Sequence, residues 1–324
     1  ILSRGERLLG MNKLQIFLIS CAVLISTTGY GISFPLLSIE MESAGVSSQL
    51  IGLNSAMPAL GWLVLSWALP WFQTRFSLTL LCTVCLLVPV AGIGLFMDSN
   101  SLIVWFIARF LFGGFLGMFY RIVEYWLNAI TVISNRGRFM GGYSVLFFLG
   151  LIIGSVAQPA LGNEGGLPAV LIMMSLLVSA AVVMVAKISV PDFKANTVAE
   201  RPNLALVYMV APLGMVSIFT YGLFEDVPAY LMSVYALKVG FAEDVAAYTL
   251  SAVALGGLLF PVPVGVLSDR LGRGVVLRLM ILIAFVGTLV IPLSLFSATA
   301  FLATLFVWGG CAGCIYNLAL SDIG

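Results

Sequence analysis

The chain has 324 residues, of which 61% are hydrophobic and 9% charged, and its formal net charge is +1; ordinary soluble domains carry roughly 25% charged residues. A water-soluble protein of this size could not hide so much apolar surface, whereas a bilayer removes the need to hide it. The near-neutral charge leaves no basic face for nucleic acid, and the lack of any histidine removes the commonest general base and metal ligand.

Residues 1–13 carry Arg4, Glu6, Arg7 and Lys13 ahead of a long apolar run. That run, over 14–37, exceeds the roughly 7–15 residues of a signal-peptide core and lacks an A-x-A cleavage site, so it reads as a first spanning helix. Met11 is the expected start, with residues 1–10 an upstream in-frame extension. A helix needs about 20 apolar residues to cross the bilayer core. On that criterion ten spans follow in order, over 14–37, 50–71, 77–97, 102–125, 139–161, 167–188, 204–232, 244–267, 275–296 and 299–320. The predicted class is an all-α integral membrane bundle, because backbone facing lipid must satisfy its own hydrogen bonds.

The loops orient the chain. With the N-terminus inside, Arg4, Arg7, Lys13, Arg75, Arg136, Arg138, Lys187, Lys194, Arg201, Arg270, Arg273 and Arg278 fall on the cytoplasmic side. Lys238 alone falls outside, while Arg109 and Arg121 lie within a span. This is the positive-inside pattern. The outer connections carry acids instead: Glu40, Glu42, Asp98, Glu164, Glu243 and Asp244. The longest polar break, 189–203, follows the sixth span and reads as a cytoplasmic linker between an N-terminal half, 14–188, and a C-terminal portion, 204–324.

The two portions repeat each other. Thr28-Gly29-Tyr30-Gly31 with Pro35 in the first span matches Thr220-Tyr221-Gly222 with Pro228 in the seventh. Ala59-Leu60-Gly61 with Arg75 in the second matches Ala254-Leu255-Gly256 with Arg270 in the eighth. Gly113-Gly114, Gly117 and Tyr120 in the fourth match Gly309-Gly310, Gly313 and Tyr316 in the tenth. The offset is nearly constant and spans six helices, so matched helices point the same way. This is a parallel repeat of six-helix halves. Ten spans then leave the second half two helices short, and the sequence is expected to be a truncated twelve-helix protein. The five cysteines, Cys21, Cys82, Cys85, Cys311 and Cys314, lie inside apolar runs and read as small packing residues despite two CxxC spacings. No cofactor or metal site is expected.

Two six-helix halves, a central linker and an inside N-terminus resemble the major facilitator superfamily. Gly265-Val266-Leu267-Ser268-Asp269-Arg270-Leu271-Gly272-Arg273, between the eighth and ninth spans, looks like that family's G-x-L-x-D-R-x-G-R loop in its second-half copy. The first-half copy is eroded, with Pro70, Thr74, Arg75 and Ser77 where Gly, Asp, Arg and Gly would stand. Arg109 and Gly113 match the R-x-x-x-G part of a second family motif. Gly150, Gly154 and Pro159 in the fifth span depart from the G-P-x-x-G-G pattern of drug–proton antiporters. Glu124-Tyr125-Trp126-Leu127-Asn128, followed by Asn135-Arg136-Gly137-Arg138, looks like a branch of poorly characterised bacterial permeases. The resemblance implies a substrate cavity lined by the first and seventh spans. It also implies a cytoplasmic latch at the 265–273 loop, a motif that includes Gly265 and Gly272, with Asp269 capping a helix near Arg138 and Arg270 and Arg273 pairing with acids.

Ionisable groups inside a span are costly and mark functional candidates. Arg109 lies about 10 Å into the fourth span at 1.5 Å per residue. It reads as an anchor for an anionic group, as a charge that holds down the pKa of a nearby acid, or as a snorkelling side chain reaching the headgroups. Leu305 stands at the matching place in the tenth span, so the charge belongs to one half only. Glu225 and Asp226 lie in the outer part of the seventh span. If the helix continues through them, at most one faces the pore and carries a proton; if it ends earlier, both sit in external water. Arg121 and Glu124, three residues apart, can pair on one helix face as a structural ion pair or as part of an inner gate. Tyr30 and Tyr221, beside glycines in matched helices, can offer a ring and a hydroxyl to a ligand, or pack.

The expected function is transport of a small solute by alternating access, either proton-coupled or facilitative, by a monomer in the cytoplasmic membrane. The competing readings are a non-transporting sensor or scaffold with a permease fold, and a drug-type efflux pump. A nucleotide-binding loop and a catalytic metal motif are both missing from the sequence, which argues against an ATP-driven pump or a membrane enzyme.

Overall fold

A computed structural model of the chain describes residues 4–130, 133–162, 166–188 and 231–323, and these are helical almost throughout. The first seven helices are α1 (Arg4–Ser43), α2 (Ser48–Ser55), α3 (Met57–Arg75), α4 (Leu78–Asp98), α5 (Leu102–Ile130), α6 (Ile133–Leu161) and α7 (Leu167–Ala186). A helical stretch α8 covers 231–238. It is followed by α9 (Glu243–Leu259), α10 (Pro261–Leu271), α11 (Arg273–Val290), a 3-10 turn over Ile291–Ser294 and α12 (Ala298–Ile323). Nine membrane-length apolar spans are present among the described residues, at the places expected for the first six and the last three. The 189–203 linker and nearly all of the seventh span lie outside the described residues.

Local chemistry sets several boundaries. Ser77, extended at φ −70° and ψ 151°, caps α4 by accepting from the Leu80 amide at 3.2 Å. Glu243 and Asp244 occupy the first turn of α9, where the helix dipole favours acids. Among the described residues two spans are interrupted, which simple hydropathy does not reveal. The second divides at Ala56 into α2 and α3, with Pro58 in the first turn of α3. The eighth divides at Phe260 into α9 and α10, with Pro261 opening α10. In each case the proline cannot donate to the carbonyl four residues before it, so the helix parts there.

By its contacts the chain divides into two compact units. One comprises Ile1–Ser33, Gly52–Gly150 and Leu161–Ala199; the other comprises Phe34–Ile51, Leu151–Ala160 and Glu200–Gly324.

In the first unit, α5 packs on α3 and α4. Its buried residues Trp105, Phe112, Leu116, Phe119 and Trp126 form much of the unit's interior. The α1 helix is tied to α7 by the Ser179 hydroxyl, which donates to the Ala22 carbonyl at 3.0 Å. The Gln15 amide also donates to the Ala186 carbonyl at 3.1 Å. The Trp105 indole N–H donates to the Phe96 carbonyl at 2.9 Å, closing the turn between α4 and α5. The chain's six tryptophans divide evenly. Trp62, Trp67 and Trp71 lie exposed on α3, Trp67 at 82%, while Trp105, Trp126 and Trp308 are buried.

In the second unit, α9 packs on α12, with Ala246, Phe301, Leu305, Trp308 and Ala312 in one cluster. A second cluster joins α10, α11 and α12 through Val264, Val276, Leu277 and Met280, with Cys311 and Cys314 embedded in it. All five cysteines are free and four are buried, the environment expected of small packing residues.

The repeated glycines sit at matched contacts. A methyl group added to Gly61 would meet the Phe110 carbonyl oxygen at 2.6 Å and Gly114 beyond it. One added to Gly256 would meet the Phe306 carbonyl oxygen still more closely, with Gly310 beyond it. Gly113 abuts Pro58 and Gly309 abuts Val253; Gly117 faces Trp62 and Gly313 faces Gly257. Small residues are needed here because the helix backbones touch.

Candidate functional site

The feature most relevant to function lies in the first unit, on α5. Arg109 is 1% exposed, so its guanidinium is enclosed by protein and does not snorkel to a headgroup region. Four residues on, Gly113 lies against Pro58, which puts the Arg109 side of α5 toward the α2–α3 break. A guanidinium keeps its charge under physiological conditions. Enclosed away from water, that charge interacts more strongly with an opposite charge than it would in solvent.

Tyr30 approaches the same helix from α1. Its ring centroid lies 6.0 Å from that of Phe112 and 6.1 Å from that of Tyr120. The Tyr120 hydroxyl donates to Ser26 Oγ at 3.4 Å, and the Tyr143 hydroxyl donates to the Tyr120 carbonyl at 3.4 Å. The side of α5 between Arg109 and Tyr120 thus carries a charge, then aromatic rings, then hydroxyls. Its matching partner from the sequence, Tyr221, lies outside the described residues, as do Glu225 and Asp226.

Arg121 and Glu124 are brought together. Arg121 Nη1 lies 3.4 Å from Glu124 Oε2, and the guanidinium stands 4.9 Å above the centroid of the Trp62 ring. Both side chains are partly exposed, so the pair contributes little on its own, about 0–1 kcal/mol.

At the 265–273 motif the backbone explains the glycine at 272. Gly272 sits at φ 86° and ψ 141°, a conformation that side chains disfavour, and joins α10 directly to α11. Its amide donates to the Ser268 carbonyl at 3.0 Å, and the Ser268 hydroxyl donates to the Gly265 carbonyl at 2.8 Å. Arg270 and Arg273 are exposed. The side chains of Asp269 and Arg138 lie outside the described residues.

Three features were not anticipated from sequence. Asn54, at the end of α2, is fully buried, and neither its amide nitrogen nor its amide oxygen has a hydrogen-bond partner. Lys238, the lone basic residue read as external, pairs with Glu42 at 3.5 Å and donates to the Ser48 hydroxyl. It thereby ties α8 to the end of α1 and the start of α2. The hydroxyls of Ser155 on α6 and Ser251 on α9 also meet in a buried hydrogen bond. For Asn54 the available signal was an amide in an apolar run four residues before a proline. For the other two there was none, because the partners lie far apart in sequence. Among the described residues, no group of three or more side chains is placed to hold a metal ion.

Comparison with known proteins fixes the family. Residues 19–323 match the model of the Major Facilitator Superfamily. The chain is 26% identical over 275 residues to the "Uncharacterized MFS-type transporter YfkF" of Bacillus subtilis (strain 168), covering 84% of this chain and 70% of that protein. It is 25% identical over 232 residues to the "Uncharacterized MFS-type transporter YcaD" of Escherichia coli O7:K1, covering 71% of this chain and 58% of that one. Among solved structures, a bacterial homologue of the human lysosomal transporter Spinster, captured inward-facing and unoccupied, superposes with a TM-score of 0.68 at 14% identity, over 97% of this chain and 75% of that one. The nucleoside transporter NupG superposes with a TM-score of 0.66 at 12% identity, over 95% and 82%. A D-xylose–proton symporter superposes with a TM-score of 0.65 at 15% identity, over 92% and 80%. With its membrane-length helices, its glycine-packed helix pairs and this match over nearly its whole length, the chain belongs to the Major Facilitator Superfamily, a family of multi-pass membrane transporters rather than enzymes.

Proposed function

We propose that the protein is a secondary carrier of the cytoplasmic membrane, with its N-terminus inside, that moves a small solute by alternating access. The observation that carries this reading is Arg109, a guanidinium held 1% exposed within a span. Burying a charge in a membrane helix is expensive, and such residues mark substrate and ion pathways. In this reading Arg109 anchors an anionic group of the solute, and Tyr30 offers an aromatic face next to it.

The loop over 265–273 serves as the cytoplasmic latch through Asp269, Arg270 and Arg273. The Lys238–Glu42–Ser48 contact holds the outer ends of helices together when the protein is closed on that side. Coupling to protons runs through a carboxylate of the seventh span, Glu225 or Asp226. The family membership and the superposition on transporters support the transport reading; the roles of individual residues are proposals.

The test is uptake into proteoliposomes containing the full-length protein, driven by an imposed proton gradient across a panel of organic anions, sugars and amino acids. Arg109→Leu, which copies the residue at the matched position, is expected to abolish uptake while leaving yield and membrane insertion intact. Uptake unchanged in that variant removes Arg109 from the mechanism. Glu225→Gln and Asp226→Asn are expected to divide the coupling role: the one that leaves uptake indifferent to the gradient marks the proton carrier.

A further inference from the structure

The interior of the helix pair that holds Arg109 contains a second polar side chain. Asn54 is 0% exposed, and both ends of its amide are buried without a partner. A buried amide left in that state costs about 1–3 kcal/mol, so the position demands an explanation.

Extended one turn beyond the observed contacts, the helix register directs Asn54 toward Arg109. Pro58 meets Gly113, Gly61 meets Gly114, and Trp62 meets Gly117, so contacts advance in the same direction along α3 and α5. One helical turn back from Pro58 and Gly113 are Asn54 and Arg109. The intervening break does not reverse the path, because Ala56 keeps near-helical angles of φ −82° and ψ −13°. The Ala56 amide still donates to Leu53 and the Leu60 amide to Ala56.

The matched pair in the second unit serves as a control. There Gly309 abuts Val253, and one turn back lie Leu305 and Thr249. Leu305 and Thr249 are both 0% exposed. The Thr249 hydroxyl is fully served: it donates to the Ala246 carbonyl at 2.7 Å and shares a hydrogen bond with Ser233. The same packing therefore closes with an apolar residue and a satisfied hydroxyl. What the first pair buries instead is not required by the fold.

We infer that Asn54 and Arg109 form one buried oxyanion subsite, in which the guanidinium supplies the charge and the Asn54 amide a second donor, so that the solute carried by this protein bears a carboxylate or phosphate group. Paired N–H donors on a guanidinium suit the two oxygens of such a group. The Asn54 carbonyl oxygen can accept from a hydroxyl on the same solute. This rests on the transport reading above and names its substrate class.

The test is a melting-temperature titration of the full-length protein in detergent with acetate, benzoate, inorganic phosphate and methylphosphonate, against benzamide, glucose and tetraethylammonium. A bound ligand raises the apparent melting temperature by mass action. At least one oxyanion is expected to protect the native protein, and the neutral and cationic compounds are not. Asn54→Thr, which copies the matched residue, and Asn54→Ala are each expected to weaken that oxyanion about 5- to 30-fold, the factor for one lost buried hydrogen bond. Without ligand, both variants are expected to melt at the same temperature as the native protein or higher, since an unsatisfied group has gone.

Protection that needs Arg109 but is unchanged in both Asn54 variants overturns the inference and leaves the transport reading standing. Variants that melt lower without ligand yet keep the full oxyanion shift make Asn54 a structural residue and overturn it likewise. A panel in which no oxyanion protects the native protein overturns the substrate class. Protection that survives Arg109→Leu overturns the role of Arg109 itself.

Discussion

The pairing of α3 with α5 and the pairing of α9 with α12 begin from one contact: a glycine pressed on the carbonyl of a phenylalanine, Gly61 on Phe110 and Gly256 on Phe306. One turn from the next contact they part. The first pair buries Arg109 and Asn54; the second buries Leu305 and Thr249. Packing dictates the glycines in both, because two helix backbones can touch only where no side chain stands between them. Packing does not dictate an arginine, since Leu305 fills the matching position at no electrostatic cost. Where two such similar helix contacts differ by a buried charge, the difference belongs to what the protein does, and the shared part to how it stands.

The comparison can be broken most severely by Leu305→Arg. That substitution puts an unserved charge into the second pair and is expected to cost about 3–5 kcal/mol, enough to eliminate well-folded protein from size-exclusion chromatography in detergent. Normal yield would mean that any copy of this frame tolerates the charge, and Arg109 would lose its significance. Next in size is a methyl group at the shared contact. Gly256→Ala and Gly61→Ala are each expected to lower stability by about 1–3 kcal/mol, read as a fall in apparent melting temperature. Gly256 should suffer more, because its contact with backbone is the closer. Equal tolerance at both sites would show that the helices can separate freely.

Thr249→Val removes a hydroxyl that is already satisfied, and about 0.5–1.5 kcal/mol should be lost. Its sign is opposite to that expected for Asn54→Thr, and agreement in sign would erase the contrast between the pairs. Smallest of all is Lys238→Ala. The pair with Glu42 is partly exposed, so its removal should change thermal stability by about 0–1 kcal/mol. A larger effect would show that this contact, and not the buried frame, controls the closed form.

Much of this was legible in the sequence. Nine spans lie where runs of apolar residues put them, because twenty such residues admit few alternatives in a bilayer. The glycines of the fourth and tenth spans were readable as packing residues from their spacing alone. The burial of Arg109 was an open alternative in the sequence, since helical depth does not reveal which face a residue occupies; the register with Pro58 decides it. Asn54 escaped because an uncharged amide within an apolar run does not stand out as a charge does. The interruptions at Ala56 and Phe260 escaped because each half remains apolar, although Pro58 and Pro261 were there to be weighed. Lys238 stood out as the single external base, yet its partner Glu42 lies almost two hundred positions away, beyond the reach of any local pattern.

The distribution of tryptophans has a consequence for observing this protein at work. Three indoles stand exposed on α3, and the other three are enclosed. A lipid-borne quencher, such as a brominated acyl chain, would therefore dim light from one helix and spare the rest. Since α3 is the helix that parts from α2 beside Asn54, the native fluorescence already carries an optical report from that helix, with no label added.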